Sequence, residues 1–287
     1  MCKKLSVLVS FVFVLSLTAG AQADLVGYWT FDEGSGTSAF DSSGNGLDGT
    51  LNGDPQWVLG QVGGALEFDG DDSVEIPHDP LLSLTEEITI TAWTYMNANA
   101  SGEMAIVSKG GWGANDLPYE LTEEAGSVIF WQFYDNEGRD NCAPTSPPVE
   151  EWHHLAATYD GQIFKCYIDG ELADEWAYAG TMPENTASVT IGQRSRGGTY
   201  YQGILDEVAI FNHALSEDEI PRTMLGLGSS GKALGPTPAD GALHEDTWVS
   251  LGWRAGDFAV SHDVYIGDNF DAVSEGTEDA FIGNQGE

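Results

Sequence analysis

Trp152-His153-His154-Leu155-Ala156-Ala157-Thr158-Tyr159-Asp160-Gly161-Gln162-Ile163-Phe164-Lys165-Cys166-Tyr167-Ile168-Asp169-Gly170-Glu171-Leu172-Ala173-Asp174-Glu175-Trp176 holds three β-prone runs separated by two Asp-Gly pairs. Asp-Gly supplies the positive φ angles that tight hairpin turns require. The stretch therefore predicts a three-strand antiparallel meander: His153–Tyr159, Ile163–Ile168 and Glu171–Trp176. Reading outward, further alternating or wholly apolar runs lie between Gly, Asp, Asn and Pro clusters. They are Leu25–Phe31, Ala65–Phe68, Ile88–Tyr95, Ala105–Ser108, Ser127–Tyr134, Val189–Ile191 and Gly203–Phe211. One helix start stands out, Ser216-Glu217-Asp218-Glu219, where Ser216 can cap the Glu219 N–H and the Glu219 carboxylate can reach back. Many short strands with almost no helix predict an all-β protein, a two-sheet antiparallel jelly-roll sandwich.

Composition agrees and excludes several functions. The 287 residues carry 46 Asp+Glu against 10 Lys+Arg, a formal net charge of −36. A sequence-independent nucleic-acid binder needs clustered cations, and so does docking on an anionic membrane. Hydrophobic residues at 41% and nine Trp supply a core that a disordered acidic tail lacks. The 36 glycines fit a turn-rich chain.

Residues 1–23 read as a secretory signal peptide: Met1-Cys2-Lys3-Lys4, an apolar run from Leu5 to Leu17, then Ala21-Gln22-Ala23. The run is short of the ~20 residues a membrane span needs. Removing Lys3 and Lys4 from the 10 basic residues leaves 8 against 46 acids, a net of −38. The mature protein is expected outside the cell, with no membrane span. Of three cysteines, Cys142 and Cys166 remain and form a candidate disulfide in an oxidising compartment. The alternative is a Cys166 that is merely a small buried hydrophobe and an unpaired Cys142.

An ordered series of motifs points to a family. It runs Tyr28-Trp29-Thr30-Phe31-Asp32-Glu33, Asp41-Ser42-Ser43-Gly44-Asn45-Gly46, Gly64-Ala65-Leu66-Glu67-Phe68-Asp69-Gly70 and Ile90-Thr91-Ala92-Trp93. It continues through Glu151-Trp152-His153-His154-Leu155, Tyr167-Ile168-Asp169-Gly170 and Leu205-Asp206-Glu207-Val208-Ala209-Ile210-Phe211-Asn212. In this order the chain resembles the LamG-like (laminin G, concanavalin A-like) jelly-roll family of secreted bacterial proteins. The resemblance covers residues 24–226. Residues 227–238, with Gly226-Leu227-Gly228-Ser229-Ser230-Gly231 and Pro236-Thr237-Pro238 at its ends, read as a linker. Residues 239–287, with Trp253 and Tyr265 at core-aromatic positions, resemble the first half of a fibronectin type III-like domain. The second half is missing, so the chain is expected to be truncated.

Asp32, Asp41, Asn45 and Asp206 form the leading metal candidate. Asp41, Ser43 and Asn45 offer oxygens at alternate positions, with Gly44 and Gly46 between, and calcium takes 6–8 hard oxygens. The family resemblance implies a structural Ca²⁺ where the first and last strands meet, after Asp32 and at Asp206, with Asp48, Asp69 and Asp71 in reserve. The competing reading makes Asp41 and Asn45 turn stabilisers. Trp152-His153-His154 is not a metal pair, because adjacent strand residues point to opposite faces. The pairs Asp206-Glu207 and Asp174-Glu175 are expected to face apart for the same reason. No acid-x-acid-x-x-acid run, nucleophile elbow or zinc motif occurs, so the chain is read as noncatalytic.

That leaves binding. Trp112, Tyr119, Tyr200 and Tyr201 sit in loop-like positions beside Arg194, Arg196 and Asn115, and aromatic rings stack on sugar faces. The ligand set is Trp112, Tyr200, Tyr201, Arg194 and Arg196. Trp29, Trp93, Trp131 and Trp152 lie within strands and are assigned to the core. The expected function is recognition or adhesion through an extracellular glycan or protein. The alternatives are a structural spacer in a cell-surface protein and an accessory domain of a secreted glycosidase.

Overall fold

The computed structural model describes residues 25–111, 116–124, 129–132, 147–177, 179–196 and 198–227, together with four later strands. In chain order the strands of the main body are β1 (Leu25–Trp29), β2 (Ser38–Ala39), β3 (Gly49–Asn52), β4 (Gln56–Leu59) and β5 (Gly64–Asp69). They continue as β6 (Ser73–Ile76), β7 (Ile88–Met96), β8 (Glu103–Lys109), β9 (Tyr119–Glu124) and β10 (Ile129–Gln132). The last are β11 (Trp152–Tyr159), β12 (Ile163–Ile168), β13 (Glu171–Ala177), β14 (Val189–Ile191) and β15 (Gln202–Phe211).

The meander forms as the Asp-Gly pairs dictate. β11 pairs β12 from Leu155↔Ile168 to Tyr159↔Phe164, and β12 pairs β13. Asp169 and Gly170 both adopt positive φ, 52° and 83°, the signature of a type I′ turn. At the other turn, the Asp160 carboxylate accepts from Gln162 N and Ile163 N at 2.8 and 2.7 Å.

Two antiparallel sheets face each other. The larger runs β13-β12-β11-β7-β15-β5-β4 with β1 also on β15; the smaller runs β10-β9-β8-β14-β6-β3-β2. Between them packs one apolar core, with Leu66, Ile90, Leu155 and Ile210 from one sheet and Val74, Leu121 and Val189 from the other. Each such side chain contributes about 1.5–3 kcal/mol by leaving water. Trp29 is fully buried, its indole N–H donating to Leu47 O at 3.0 Å. Five strands escape the sequence reading. β2, β3, β4, β6 and β9 are short or studded with polar residues, so their apolar alternation is weak.

A second cluster lies on the outer face of the larger sheet. Tyr28, Ala156, Tyr167, Ala209 and Phe211 are covered there by Leu215, Ile220 and Leu227. This strap carries the single turn α1 (Ile220–Thr223). The capping box forms by half. Glu219 accepts from Ser216 N at 2.7 Å, but the Ser216 hydroxyl also donates to that carboxylate, and the Glu219 N–H bonds the Ser216 carbonyl. Trp93 Nε1 donates to Met224 O at 3.1 Å, tying the strap to the sheet.

Beyond the strap, β16 (Leu234–Thr237) pairs β17 (Gly252–Arg254), and β18 (Ser261–Tyr265) pairs β19 (Phe281–Gly286). β16 falls inside the stretch read as linker. Among the described residues, no helix is long and apolar enough to cross a membrane.

Candidate functional site: the acidic junction and the Arg194 loop

β1 and β15 lie antiparallel, Trp29 opposite Val208 and Tyr28 opposite Ala209. The β15 register against β7 slips between Asp206 and Ala209, and Glu207 takes a φ of 53°. A bulge re-aims side chains. Here it cancels the strict alternation that would send Asp206 and Glu207 to opposite faces, and both are buried near the Gly60–Gly64 turn. The Tyr28 hydroxyl donates to the Glu207 carboxylate and accepts from Leu227 N at 2.9 Å. Asp206 Oδ2 accepts from Val62 N at 2.9 Å, while its Oδ1 is buried with no hydrogen-bond partner. Burial, aided by the neighbouring Glu207 charge, pushes the Asp206 carboxyl up to about 8. Burial likewise lifts Glu207 to about 7 and drives the Tyr28 phenol upward.

Asp32 lies on the exposed side of the same turn, its Oδ1 accepting from Gly64 N at 2.6 Å. The glycines are required by proximity. A Cβ on Gly60 would lie 2.4 Å from both Asp206 Oδ2 and Gly64 O. One on Gly63 would lie 2.2 Å from Asp32 Oδ1. The buried Asp206 Oδ1 has no partner among the described residues, and an unpaired carboxylate oxygen is the donor chemistry a hard cation takes. Glu207 stands beside Asp206 unforeseen, because a bulge leaves no mark in a period-2 reading.

Asp41 and Asn45 belong to a different construction. Asp41 Oδ1 accepts from Tyr28 N and Ser43 N, and Oδ2 accepts from the Ser43 hydroxyl and Leu47 N. Asn45 Nδ2 donates to the carbonyls of Leu25 and Val26. The Asp41–Asn45 loop is thus a turn that staples itself to β1. Among the described residues, the acidic trio whose ligand atoms lie within 4.8 Å of one another is Asp54, Asp71 and Asp72. Both Asp72 oxygens there already accept backbone N–H groups, from Asp54 and Asp69.

The loop after β14 carries the expected ligand set, and the structure divides it. Arg194 is buried, not displayed. Its guanidinium clamps Glu120 of β9 and Glu103 of β8, with Nε 3.0 Å from both Glu120 oxygens, and bonds Thr199 Oγ1. Glu120 also accepts from Ser108 Oγ at 2.6 Å. A buried charge needs such pairing, so Arg194 is structural. Tyr201 is likewise corrected: it is fully buried, edge-on to Phe68, its hydroxyl donating to buried Glu123 at 3.0 Å. Burial lifts Glu123 to about 7. Tyr119 is a core ring of β9, bonded to Leu82 O. Tyr200 remains half-buried, and Arg196 is exposed, paired with both oxygens of Asp116 at 2.7 and 2.8 Å. Buried Lys109 lies near this loop, donating to Ala187 O at 2.6 Å, and burial lowers it to about 8. Trp112, Asn115, Trp131's side chain and Cys142 lie outside the described residues; Cys166 is buried in β12. Trp152 is half-buried rather than core.

The adjacent histidines do serve different surroundings. His153 Nδ1 lies 2.9 Å from Asp169 Oδ2, whereas His154 is fully buried with Nε2 3.1 Å from Thr223 Oγ1. Burial lowers His154 to about 3.

On the outer face of the smaller sheet one rung of register runs Thr50, Glu75, Thr190, Ser108 and Glu120 across five strands. Its β3 and β6 end is exposed. Arg194 pins its loop onto the other end through Glu120.

No curated protein sequence matches the chain. Solved structures do. Domain 4 of AbnA, a GH43 extracellular arabinanase from Geobacillus stearothermophilus, solved with arabinotriose, superposes with a TM-score of 0.59 at 19% identity, over 71% of this chain and 99% of that domain. The binding domain of Paraclostridial Mosquitocidal Protein 1 gives 0.56 at 17% identity, over 70% of this chain and 52% of that one. The botulinum neurotoxin serotype G binding domain gives 0.54 at 15%, over 74% and 53%. The chain thus spans about half of these toxin domains, and at such identities the likeness concerns the fold. A family profile, described as the concanavalin A-like lectin/glucanases superfamily, matches residues 68–221, more than half of the sequence. With the two-sheet jelly roll built above, the chain belongs to the concanavalin A-like lectin/glucanases superfamily.

Proposed function

We propose that the protein is a secreted, noncatalytic recognition module that binds an extracellular glycan or protein. The observation that carries this reading is the polar rung Thr50–Glu75–Thr190–Ser108–Glu120, open at one end and bordered at the other by the pinned loop bearing Arg196 and Tyr200. At the open end the exposed Thr50 hydroxyl and Glu75 carboxylate suit a polyhydroxy ligand, while buried Thr190, Ser108 and Glu120 hold the rim in place before binding, which lowers the ordering cost. Asp206 and Glu207 are tied to Val62 N and Tyr28 beneath the strap and do not face an open cleft, which favours binding over hydrolysis. The fold shared with an arabinanase accessory domain that was solved with arabinotriose supports a glycan ligand and an accessory role.

A Ca²⁺ held by Asp32 and Asp206 beside Gly60 belongs to the same proposal, and when bound it would supply the cation that buried Asp206 Oδ1 lacks. The Cys142–Cys166 bridge, the signal peptide and a fibronectin III-like segment complete the proposed organisation.

The test is binding of the secreted chain to immobilised glycans and matrix proteins, with and without Ca²⁺. Recognition predicts a hit that weakens in Arg196→Ala/Tyr200→Ala and in Glu75→Ala. No binding to any of them would instead identify a spacer.

A further inference from the structure

A single rung of register crosses five strands of the larger sheet. Trp152 stands opposite Tyr95, Tyr95 opposite Ile204, Ile204 opposite Glu67, and Glu67 opposite Gln56. Their chain neighbours Met96, Leu205 and Phe68 pack in the core, so period-2 alternation turns the rung outward. The adjacent outward rung, His154, Trp93 and Asp206, is closed off by the strap through Thr223 and Met224. The aromatic rung just beyond it stays half-open: Trp152, Tyr95, Ile204 and Glu67 are all half-buried.

The polar groups of this rung differ from those of most buried aromatics, Tyr167 with its unpartnered hydroxyl excepted. The indoles of Trp29, Trp57 and Trp93 donate to the carbonyls of Leu47, Gly36 and Met224. Buried tyrosines 28, 119, 159 and 201 all have bonded hydroxyls. Trp152 Nε1, the Tyr95 hydroxyl and the Glu67 carboxylate have no hydrogen-bond partner among the described residues. The Trp152 and Tyr95 rings lie 5.6 Å apart at 60°, offering two differently inclined faces. Aromatic faces with unspent donors at their rims, next to a carboxylate acceptor, match a sugar ring that is apolar on one face and hydroxylated around its edge. The charge selects further. Glu67 and the net −36 of the chain repel anionic ligands and leave neutral ones.

We propose that the Trp152–Tyr95–Ile204–Glu67 rung is a second saccharide-binding platform, specific for neutral sugars. The sugar ring stacks on Trp152 and Tyr95, and Glu67 accepts from its hydroxyls. The platform is on the opposite sheet from the Arg196–Tyr200 loop, so it does not depend on that site.

The test is an NMR titration of the ¹⁵N-labelled full chain with arabinotriose, cellotetraose and laminaritetraose, each to millimolar concentration, and with trigalacturonate as the anionic control. The Trp152 indole N–H resonance, assigned by its loss in Trp152→Phe, should shift with a neutral probe and not with trigalacturonate. Trp152→Ala and Glu67→Ala should each weaken binding about fivefold or more, as loss of a stacking or polar contact implies. The Arg196→Ala/Tyr200→Ala variant should leave this binding intact. Glu67→Ala removes no core atoms, so it decides the matter if Trp152→Ala unfolds. A Trp152 resonance that moves with none of the neutral probes overturns the platform. So does neutral-probe affinity that responds only to the Arg196 and Tyr200 changes, which would leave the loop site standing. A shift that follows protein concentration without sugar also overturns it, assigning the rung to a second copy of the chain.

Discussion

The hydroxyl of Tyr28, in the first strand, donates a hydrogen bond to the carboxylate of Glu207, in the last, and both side chains are buried. The same Tyr28 oxygen accepts from Leu227 N, so one phenol joins both edges of the chain's path to the end of the strap. Tyr28→Phe keeps the ring and strands two buried polar groups. Each orphan costs about 1–3 kcal/mol. Urea unfolding should show a loss of about 2–6 kcal/mol for the two together; a midpoint within error of the wild type would mean the contact contributes nothing.

Calcium should act at one half of the sequence-predicted ligand set and not at the other. Chelation is expected to lower the melting temperature, with recovery on adding Ca²⁺, as for any ligand that binds only the native state. Asp206→Asn should abolish that calcium response. Asp41→Ala should destabilise the protein equally with and without Ca²⁺, because it removes four hydrogen bonds, one to β1 at Tyr28 N and three within the loop. Calorimetry in chelator and in Ca²⁺ separates the two, and a calcium response that vanishes in Asp41→Ala would contradict this division.

Gly60→Ala places a methyl 2.4 Å from Asp206 Oδ2 and from the Gly64 carbonyl, so backbone or carboxylate must move. A loss of roughly 1–3 kcal/mol is expected, as for other overpacked sites. Gly198→Ala is the control, since nothing lies within 4 Å of its Cβ position. Equal midpoints for the two variants in guanidinium would refute the close-approach argument.

Arg194→Ala should be severe and Arg196→Ala mild. Removing Arg194 leaves Glu120 buried without its counterion, a change that costs about 3–5 kcal/mol in comparable sites. Arg196 is half-exposed and its pair with Asp116 contributes at most about 1 kcal/mol. Chemical denaturation of both variants tests this, and the reverse order would restore Arg194 to the ligand surface.

Glu123 gives a pH signature of definite sign. Burial raises its folded pKa from 4.5 to about 7, so the folded state holds the proton more tightly than the unfolded chain does. Its contribution is most favourable below about 4.5, declines as pH rises to about 7, and is flat above. The total decline is on the order of 3 kcal/mol. His154, lowered to about 3, works the other way, adding stability as pH rises from about 3 to 6.5. Glu123→Gln keeps an acceptor for Tyr201 and should make the decline between pH 4.5 and 7 shallower by Glu123's share, leaving the share of Glu207 and Asp206, which burial raises in the same direction. Melting temperatures across pH 4 to 8 measure it, and a wild-type slope that persists in the variant would place the cause elsewhere.

The sequence by itself determined the sandwich, because its long runs are β-prone and apolar and its Asp-Gly pairs mark tight turns between them. It also placed Asp32 just after the first strand and Asp206 in the last, strands that pair with each other. Whether neighbours face together or apart was a tertiary matter. The bulge at Glu207 turned Asp206 and Glu207 to one side, and no local pattern marks a residue that slips register. Which aromatics and cations are displayed was also decided in three dimensions. Tyr201 and Arg194 look like loop residues, but the packing of β9 beneath them supplies Glu123 and Glu120 as buried partners. Trp152 looks like a core residue, yet the strap ends one rung before it. Period-2 alternation tells which residues share a face, and only the path of the covering chain tells which part of that face meets water.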